Sequence, residues 1–277
     1  MADSQVDRGA EAREGRDDFY VGYEPHAAAS ISSHARLWVV GIVLAGLGVA
    51  VGLGIVQEAF PVAFFDFGLP RTYEGVVTLE PHPTLEVERP GRASGGGPPG
   101  GTTSGWLLVG FGKHGARAEL EGLDGRRVRL EGTPIYRDDQ TMLEIVPGTV
   151  EAVAGGGGGE AVARTSPGRA ISLGERVLEG EIVDSKCYLG VMKPASWKPH
   201  RACASLCIRG GIPPLFVLRD AEGVPVEHLL LLDGRGRAPG DEILEFVAEP
   251  VRVRGEVSRV GERWILKADP ESFERLP

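Results

Sequence analysis

The sequence has little positive charge and few cysteines, and both shortages narrow the possible functions. Acidic residues outnumber basic ones, 39 to 30, which gives a net charge of −9. Because nucleic acids attract basic surfaces, this balance argues against a nucleic-acid-binding protein. The 277 residues include only three cysteines, all within the stretch 187–207. Thiols are ligands of transition metals and form disulfides, so any chemistry is expected there.

Motifs of several enzyme classes are also missing. The five glycines at 155–159 are not followed by Lys and Ser or Thr, so they do not form a phosphate-binding loop. The sequence contains no serine elbow and no Cys-x-x-Cys-His haem-attachment motif. His82, between two prolines, and His114 are predicted to be surface loop residues. No group of residues indicates a defined reaction, and the chain is not predicted to be an enzyme.

One apolar run overrides a soluble interpretation. Leu37–Val56 contains twenty residues without a charge, enough for a helix of about 30 Å, the thickness of a bilayer core. A signal peptide has a short basic start, whereas 36 residues precede this run. We therefore expect a single transmembrane helix at 37–60, after a flexible tail at 1–36.

The basic residues around this run predict its orientation. The first basic residue on the C-terminal side is Arg71, whereas four arginines precede the run: Arg8, Arg13, Arg16 and Arg36. The positive-inside rule then places the N-terminus in the cytoplasm and the remainder in the periplasm of a bacterial inner membrane. In that oxidising compartment a free structural thiol is unusual.

Two features near the membrane indicate a partner membrane complex. Small residues spaced four, three and four apart define one helix face that a second helix can approach closely: Gly41, Ala45, Gly48 and Gly52. General glycine and alanine enrichment is the alternative explanation, since a second small face exists. Phe19, Tyr20 and Tyr23 form either an interfacial aromatic belt or a docking peptide.

Two segments after the membrane resemble each other, at about 71–153 and 175–277, and a Gly-rich linker at 154–174 joins them. Each contains short strands of alternating polarity, such as Val128–Gly132 and Val251–Gly255. About five such strands in 80 to 100 residues are typical of an OB-type barrel. The predicted fold is mainly β: a single N-terminal transmembrane helix followed by two small OB-like β-barrel modules in tandem.

The cysteines and one histidine form the candidate site. Cys187 follows a strand, and His200, Cys203 and Cys207 fall on one face of a short helix. These four residues predict a transition-metal site, for zinc or copper. Three ligands are easier than four, because His200 and Cys207 lie about 10.5 Å apart along a helix. A disulfide from Cys187 to Cys203 or Cys207 is the alternative, and Asp184 either orients a ligand or caps a turn.

The motif around the cysteines is distinctive. Asp-x-Lys-Cys-Tyr-Leu-Gly at 184–190, followed by His-x-x-Cys-Ala-x-x-Cys-Ile-x-Gly-Gly-Ile-Pro-Pro at 200–214, resembles a group of uncharacterised bacterial membrane-anchored proteins. The Asp-Phe-Tyr-Val-Gly-Tyr stretch at 18–23 is similar to their N-terminal signature. The resemblance implies an envelope location and a link to respiratory or redox components. The architecture is also similar to anchored periplasmic OB-fold proteins.

Taken together, these features predict a membrane-anchored accessory subunit of an envelope redox or electron-transfer complex. Its Cys/His site would bind a metal or fix a loop by a disulfide. The alternative hypothesis is a membrane-tethered thiol- or metal-handling protein, chaperone-like or oxidoreductase-like, that uses Cys203 or Cys207.

Overall fold

The structure, a computed structural model, describes residues 29–58, 63–88, 103–153 and 170–277. The aromatic segment with Phe19, Tyr20 and Tyr23 and most of the predicted linker at 154–174 lie outside the described residues. The chain divides into two units after Pro61.

The first unit contains one long helix, α1 (Ala29–Glu58). It includes a 26-residue stretch, Ile31–Val56, that is long and apolar enough to cross a membrane. The predicted single apolar N-terminal helix is thus confirmed, although it begins before Leu37. Its large apolar side chains are exposed along the whole stretch. Exposing such a surface to water is unfavourable, so this helix requires an apolar environment.

The second unit consists mostly of β-strands, which confirms the predicted mainly β class. Its first module contains the strands β1 (Ala63–Phe65), β2 (Arg71–Thr78), β3 (Thr84–Glu88), β4 (Thr103–Val109), β5 (Arg127–Arg137), β6 (Gln140–Ile145) and β7 (Glu151–Ala152). Its second module contains β8 (Ile171–Asp184), helix α2 (Arg201–Arg209), β9 (Pro214–Arg219), β10 (Pro225–Leu232), β11 (Pro250–Val260), β12 (Arg263–Lys267) and β13 (Phe273–Arg275). The remaining helical turns are short: Ala118–Leu120, Cys187–Val191, Lys198–His200, Asp241–Phe246 and Pro270–Ser272.

Five strands of the first module close into a barrel. Strands β5, β2, β3 and β4 are antiparallel neighbours, β4 pairs in parallel with β6, and β6 pairs with β5 to close the ring. Strand β5 takes part in two pairings of the ring: its residues before Gly132 pair with β2, and those after Gly132 pair with β6. Val128 and Leu130 are buried while Glu131 is exposed, so the alternation in the sequence does mark a half-buried strand.

The second module repeats these pairings in the same order. Strands β11, β8, β9 and β10 are antiparallel neighbours, β10 is parallel to β12, and β12 returns to β11. One glycine in each of four corresponding strands has another strand so close that a Cβ would lie only 2.2 to 2.5 Å from it: Gly75, Gly132, Gly180 and Gly255. Close strand approach therefore explains these glycines, and the ladder register does not shift at any of them.

The two modules share a hydrophobic core. Leu107 and Met142 of the first module pack in one buried cluster with Leu189, Leu215 and Leu230 of the second. Each module also has a core of its own. Two of the three cysteines, Cys187 and Cys207, belong to the shared cluster, so the candidate site lies where the modules meet.

Candidate functional site

The end of strand β8 fixes the first cysteine. The strand ends at Asp184, whose side chain is fully buried and whose Oδ1 accepts a hydrogen bond of 2.8 Å from the Cys187 backbone N–H. This bond caps the tight turn that follows, Cys187–Val191. Cys187 is therefore held immediately beyond the sheet, with its side chain buried.

Helix α2 supplies the other two cysteines. Cys203 and Cys207 are four residues apart and lie on one face of the helix. The Sγ atoms of these two residues and of Cys187 all lie within 4.8 Å of one another, and all three cysteines are free. Cys187 and Cys207 are buried, whereas Cys203 is half-buried. We call these three residues the cysteine cluster.

His200 belongs to a second, overlapping group. Its Nε2 lies 2.9 Å from Asp184 Oδ2, and both side chains are buried. Possible ligand atoms of His200, Asp184 and Cys187 lie within 4.8 Å of one another. The structure thus brings the three predicted cysteine ligands together and places the fourth predicted residue, His200, against Asp184. Asp184 both orients His200 and caps a turn, the two roles considered from the sequence.

A lysine from the first module completes the surroundings of the cluster. Lys113, in the loop after β4, donates a hydrogen bond of 2.7 Å from its Nζ to Cys203 Sγ. This bond and the nearby sulphur atoms raise the pKa of Lys113. Sequence reasoning missed this residue, because no local pattern relates position 113 to position 203.

The loop that carries Lys113, residues 110–115, is held in place by a second lysine. Lys186 is buried, and its Nζ donates hydrogen bonds of 2.8 and 2.7 Å to the backbone oxygens of Gly110 and Gly112. The same ammonium group forms an ion pair with Glu144 of β6. Three acceptors therefore satisfy a charge that would be costly to bury alone.

Backbone contacts join the same loop to the segment after α2. Gly115 N–H donates a hydrogen bond of 2.8 Å to Gly210 O. A Cβ on Gly210 would lie 1.9 Å from Lys113 O, and one on Gly115 would lie 2.4 Å from Gly211 O. Gly210 and Gly115 therefore permit the close approach that brings Lys113 to Cys203.

Two of the cysteines share a hydrogen bond that separates their acidities. The bond to Cys207, followed by burial and the charge of Asp184, raises the pKa of Cys187. The same bond, donated by Cys187, lowers the pKa of Cys207 against the opposing effect of burial. The contact between the two sulphur atoms is thus the largest cause of both pKa shifts, and a metal ion bound by both atoms would displace protons from them.

His82 does not belong to this site, and the expectation that it lies on the surface is wrong. Its side chain is buried, and its Nε2 has no hydrogen-bond partner among the described residues. Burial, assisted by the charges of Arg263 and Arg117, lowers the pKa of His82 to about 4. Its flanking prolines suggested a loop but gave no sign of this packing.

Comparisons of this chain with protein-family models, with curated proteins and with solved structures found no match.

Proposed function

We propose that this chain is a membrane-anchored accessory subunit of an envelope redox or electron-transfer complex, in which the cysteine cluster binds one transition-metal ion. The observation that carries this proposal is the convergence of three free sulphur atoms within 4.8 Å. With metal–sulphur bonds of about 2.3 Å, three ligands around one ion lie about 4 Å apart. The sulphur atoms therefore need to approach one another by less than about 1 Å. Thiolates select zinc and copper among the available ions.

The anchor and its orientation follow from α1. The helix is long and apolar enough to span a bilayer. Arg36 directly precedes its uncharged run 37–56, whereas the first basic residue after the run is Arg71. We place the N-terminus in the cytoplasm and both modules in the periplasm. There the metal would also protect the three thiols from oxidation, which a free cluster would not resist.

The tandem OB-like architecture is part of the proposal. Each module has three antiparallel pairings in a row, one parallel pairing and one antiparallel pairing that closes the ring, and this order supports an OB-type ring in both. The two rings place the cysteine segment between the first and second strands of the second module. Such connections can carry a site without disturbing the barrel.

A partner helix is proposed to pack against the small-residue face of α1 (Gly41, Ala45, Gly48 and Gly52). A Cβ added at any of the three glycines of this face meets nothing within 4 Å. The face is thus open within the described chain, and close helix contact is the usual role of such spacing in membranes. The segment with Phe19, Tyr20 and Tyr23 is proposed as a second contact.

The proposal is tested with a Cys207→Ala variant expressed in its native membranes. We expect loss of the bound metal and failure to assemble with the partner complex, measured by native gel electrophoresis of detergent extracts. A Ser205→Ala variant in the same helix serves as the control. Normal assembly of Cys207→Ala together with loss of thiol reactivity would contradict the subunit role.

The partial exposure of Cys203 favours a second candidate, a protein that handles thiols or metals for others. Cys203 is half-buried while the other two cysteines are buried, so it is the most accessible of the three to a reagent or a substrate. Cys203 would then be the working thiol. In that case a maleimide reagent modifies Cys203 first in the freshly isolated protein, whereas a filled metal site would leave all three cysteines unreactive.

A further inference from the structure

We infer that the ion of the cysteine cluster is monovalent copper rather than zinc. This inference rests on the proposed metal-binding function and specifies the ion. It follows from three properties of the cluster: the number of available ligands, the charge beside it and the burial of two of its three sulphur atoms.

The first property is the number of ligands. Structural zinc is almost always bound by four ligands in tetrahedral geometry, whereas copper(I) is satisfied by three thiolates in a plane. The cysteine cluster offers three sulphur atoms. The nearest nitrogen and oxygen atoms contact each other, since His200 Nε2 lies 2.9 Å from Asp184 Oδ2 and both side chains are buried. Either of these two atoms could join the ion only if the buried contact opened. Asp184 also accepts the Cys187 N–H through its other oxygen.

The second property is charge. Three thiolates with a monovalent ion keep two negative charges, and those with a divalent ion keep one. Lys113 places an ammonium group 2.7 Å from Cys203 Sγ, which stabilises the more negative assembly to a greater extent. An ammonium group has only donors, so Lys113 cannot serve as a metal ligand while it is charged.

The third property is the burial of two of the three sulphur atoms. Cys187 and Cys207 are 4% and 2% exposed, so water does not reach the cluster from their side, whereas Cys203 is half-buried beside Lys113. A largely buried set of sulphur ligands favours the soft monovalent ion, which needs no water ligand to complete its coordination.

The test compares the two ions on the full chain in detergent, freed of metal and kept reduced and anaerobic. Copper(I) is added in competition with bicinchoninate, and zinc in competition with a chromophoric zinc chelator. X-ray absorption then counts the ligands of each bound ion. We expect one copper(I) per chain with three sulphur ligands and no nitrogen or oxygen, and zinc affinity no better than micromolar. One zinc bound at nanomolar affinity with a nitrogen or oxygen ligand would overturn the inference but leave a metal site. Failure of both ions to bind would overturn the metal-binding function as well.

A matched pair of lysine variants tests the charge argument separately. Lys113→Met keeps the length of the side chain and removes its charge, and it should weaken copper(I) binding about tenfold or more, while Lys113→Arg should restore most of the loss. Lys198→Met, in an exposed position just before α2, should leave binding unchanged. Equal copper(I) affinities of Lys113→Met and Lys198→Met, with both proteins folded, would overturn the assigned role of Lys113.

Discussion

At the scale of single residues, Gly210 decides whether the first module can reach the cysteine cluster. In a Gly210→Ala variant the new Cβ would lie 1.9 Å from Lys113 O, so the loop at 110–115 must move away. We expect a loss of about 1–3 kcal/mol in the free energy of unfolding, measured by denaturant titration. Arg209→Ala, which removes only an exposed ion pair with Asp241, should change it by less than about 1 kcal/mol. Equal effects of the two variants would contradict the close approach at Gly210.

His82 predicts a dependence of stability on acid. Its pKa is lowered to about 4 in the folded chain, whereas an unfolded histidine titrates near 6.5. Between these values the unfolded chain binds a proton that the folded chain does not, so stability falls as the pH drops from about 6.5 to about 4. The loss attributable to this residue is on the order of 3 kcal/mol.

The measurement for His82 is the free energy of unfolding of the wild type and of a His82→Gln variant at several pH values. The difference between the two proteins should change across this window in favour of the variant at low pH. His228, whose pKa is also lowered by burial, is present in both proteins. Its contribution therefore cancels in the difference between their free energies of unfolding. A difference that does not vary with pH would contradict the buried, neutral state of His82.

At the scale of structural elements, the Lys186–Glu144 ion pair connects the cysteine segment to strand β6 of the first module. Both side chains are largely buried, 3% and 12% exposed. The Lys186→Met substitution should lower the free energy of unfolding by about 3–5 kcal/mol, because it leaves Glu144 buried without a partner. The double variant Lys186→Met/Glu144→Leu should lose less free energy of unfolding than the sum of the losses in the two single variants.

A surface ion pair serves as the control for this cycle. Arg252 and Glu179 pair at 2.7 Å with side chains 41% and 56% exposed, and breaking that exposed pair should leave the free energy of unfolding nearly unchanged. Additive effects of the Lys186 and Glu144 substitutions would contradict a direct coupling between the modules at this point.

Elements whose signal is local could be predicted from the sequence. The alternating residues of β5 and β11, the apolar run of α1 and the convergence of Cys187 with α2 all depend on neighbours within a few residues or turns. Lys113 and the Lys186–Glu144 pair could not be predicted, because they are contacts between modules that are distant in sequence. Burial of His82 was missed for the same reason: its surroundings include Arg263, far along the chain.

At the scale of the whole molecule, helix α1 and the β modules are expected to have separate tasks. Gly48→Leu fills the small-residue face and should weaken assembly with the partner complex in native gels. It should leave the metal content unchanged, because the cysteine cluster lies in the other unit of the chain. Gly46→Leu, at a glycine that is equally unobstructed on a different face, is the matched control. Equal assembly of both variants would contradict the proposed helix contact.

The central claim is that three cysteines, drawn together by two elements of the second module, hold a metal ion. The most direct test is the elemental metal content of the full chain, purified in detergent without chelator, together with a count of its free thiols. If the cysteine cluster binds a metal, we expect about one ion per chain, with three thiols that react only after chelation and unfolding. Absence of metal with a single reactive thiol would instead establish a disulfide in this cluster and contradict the proposed metal site.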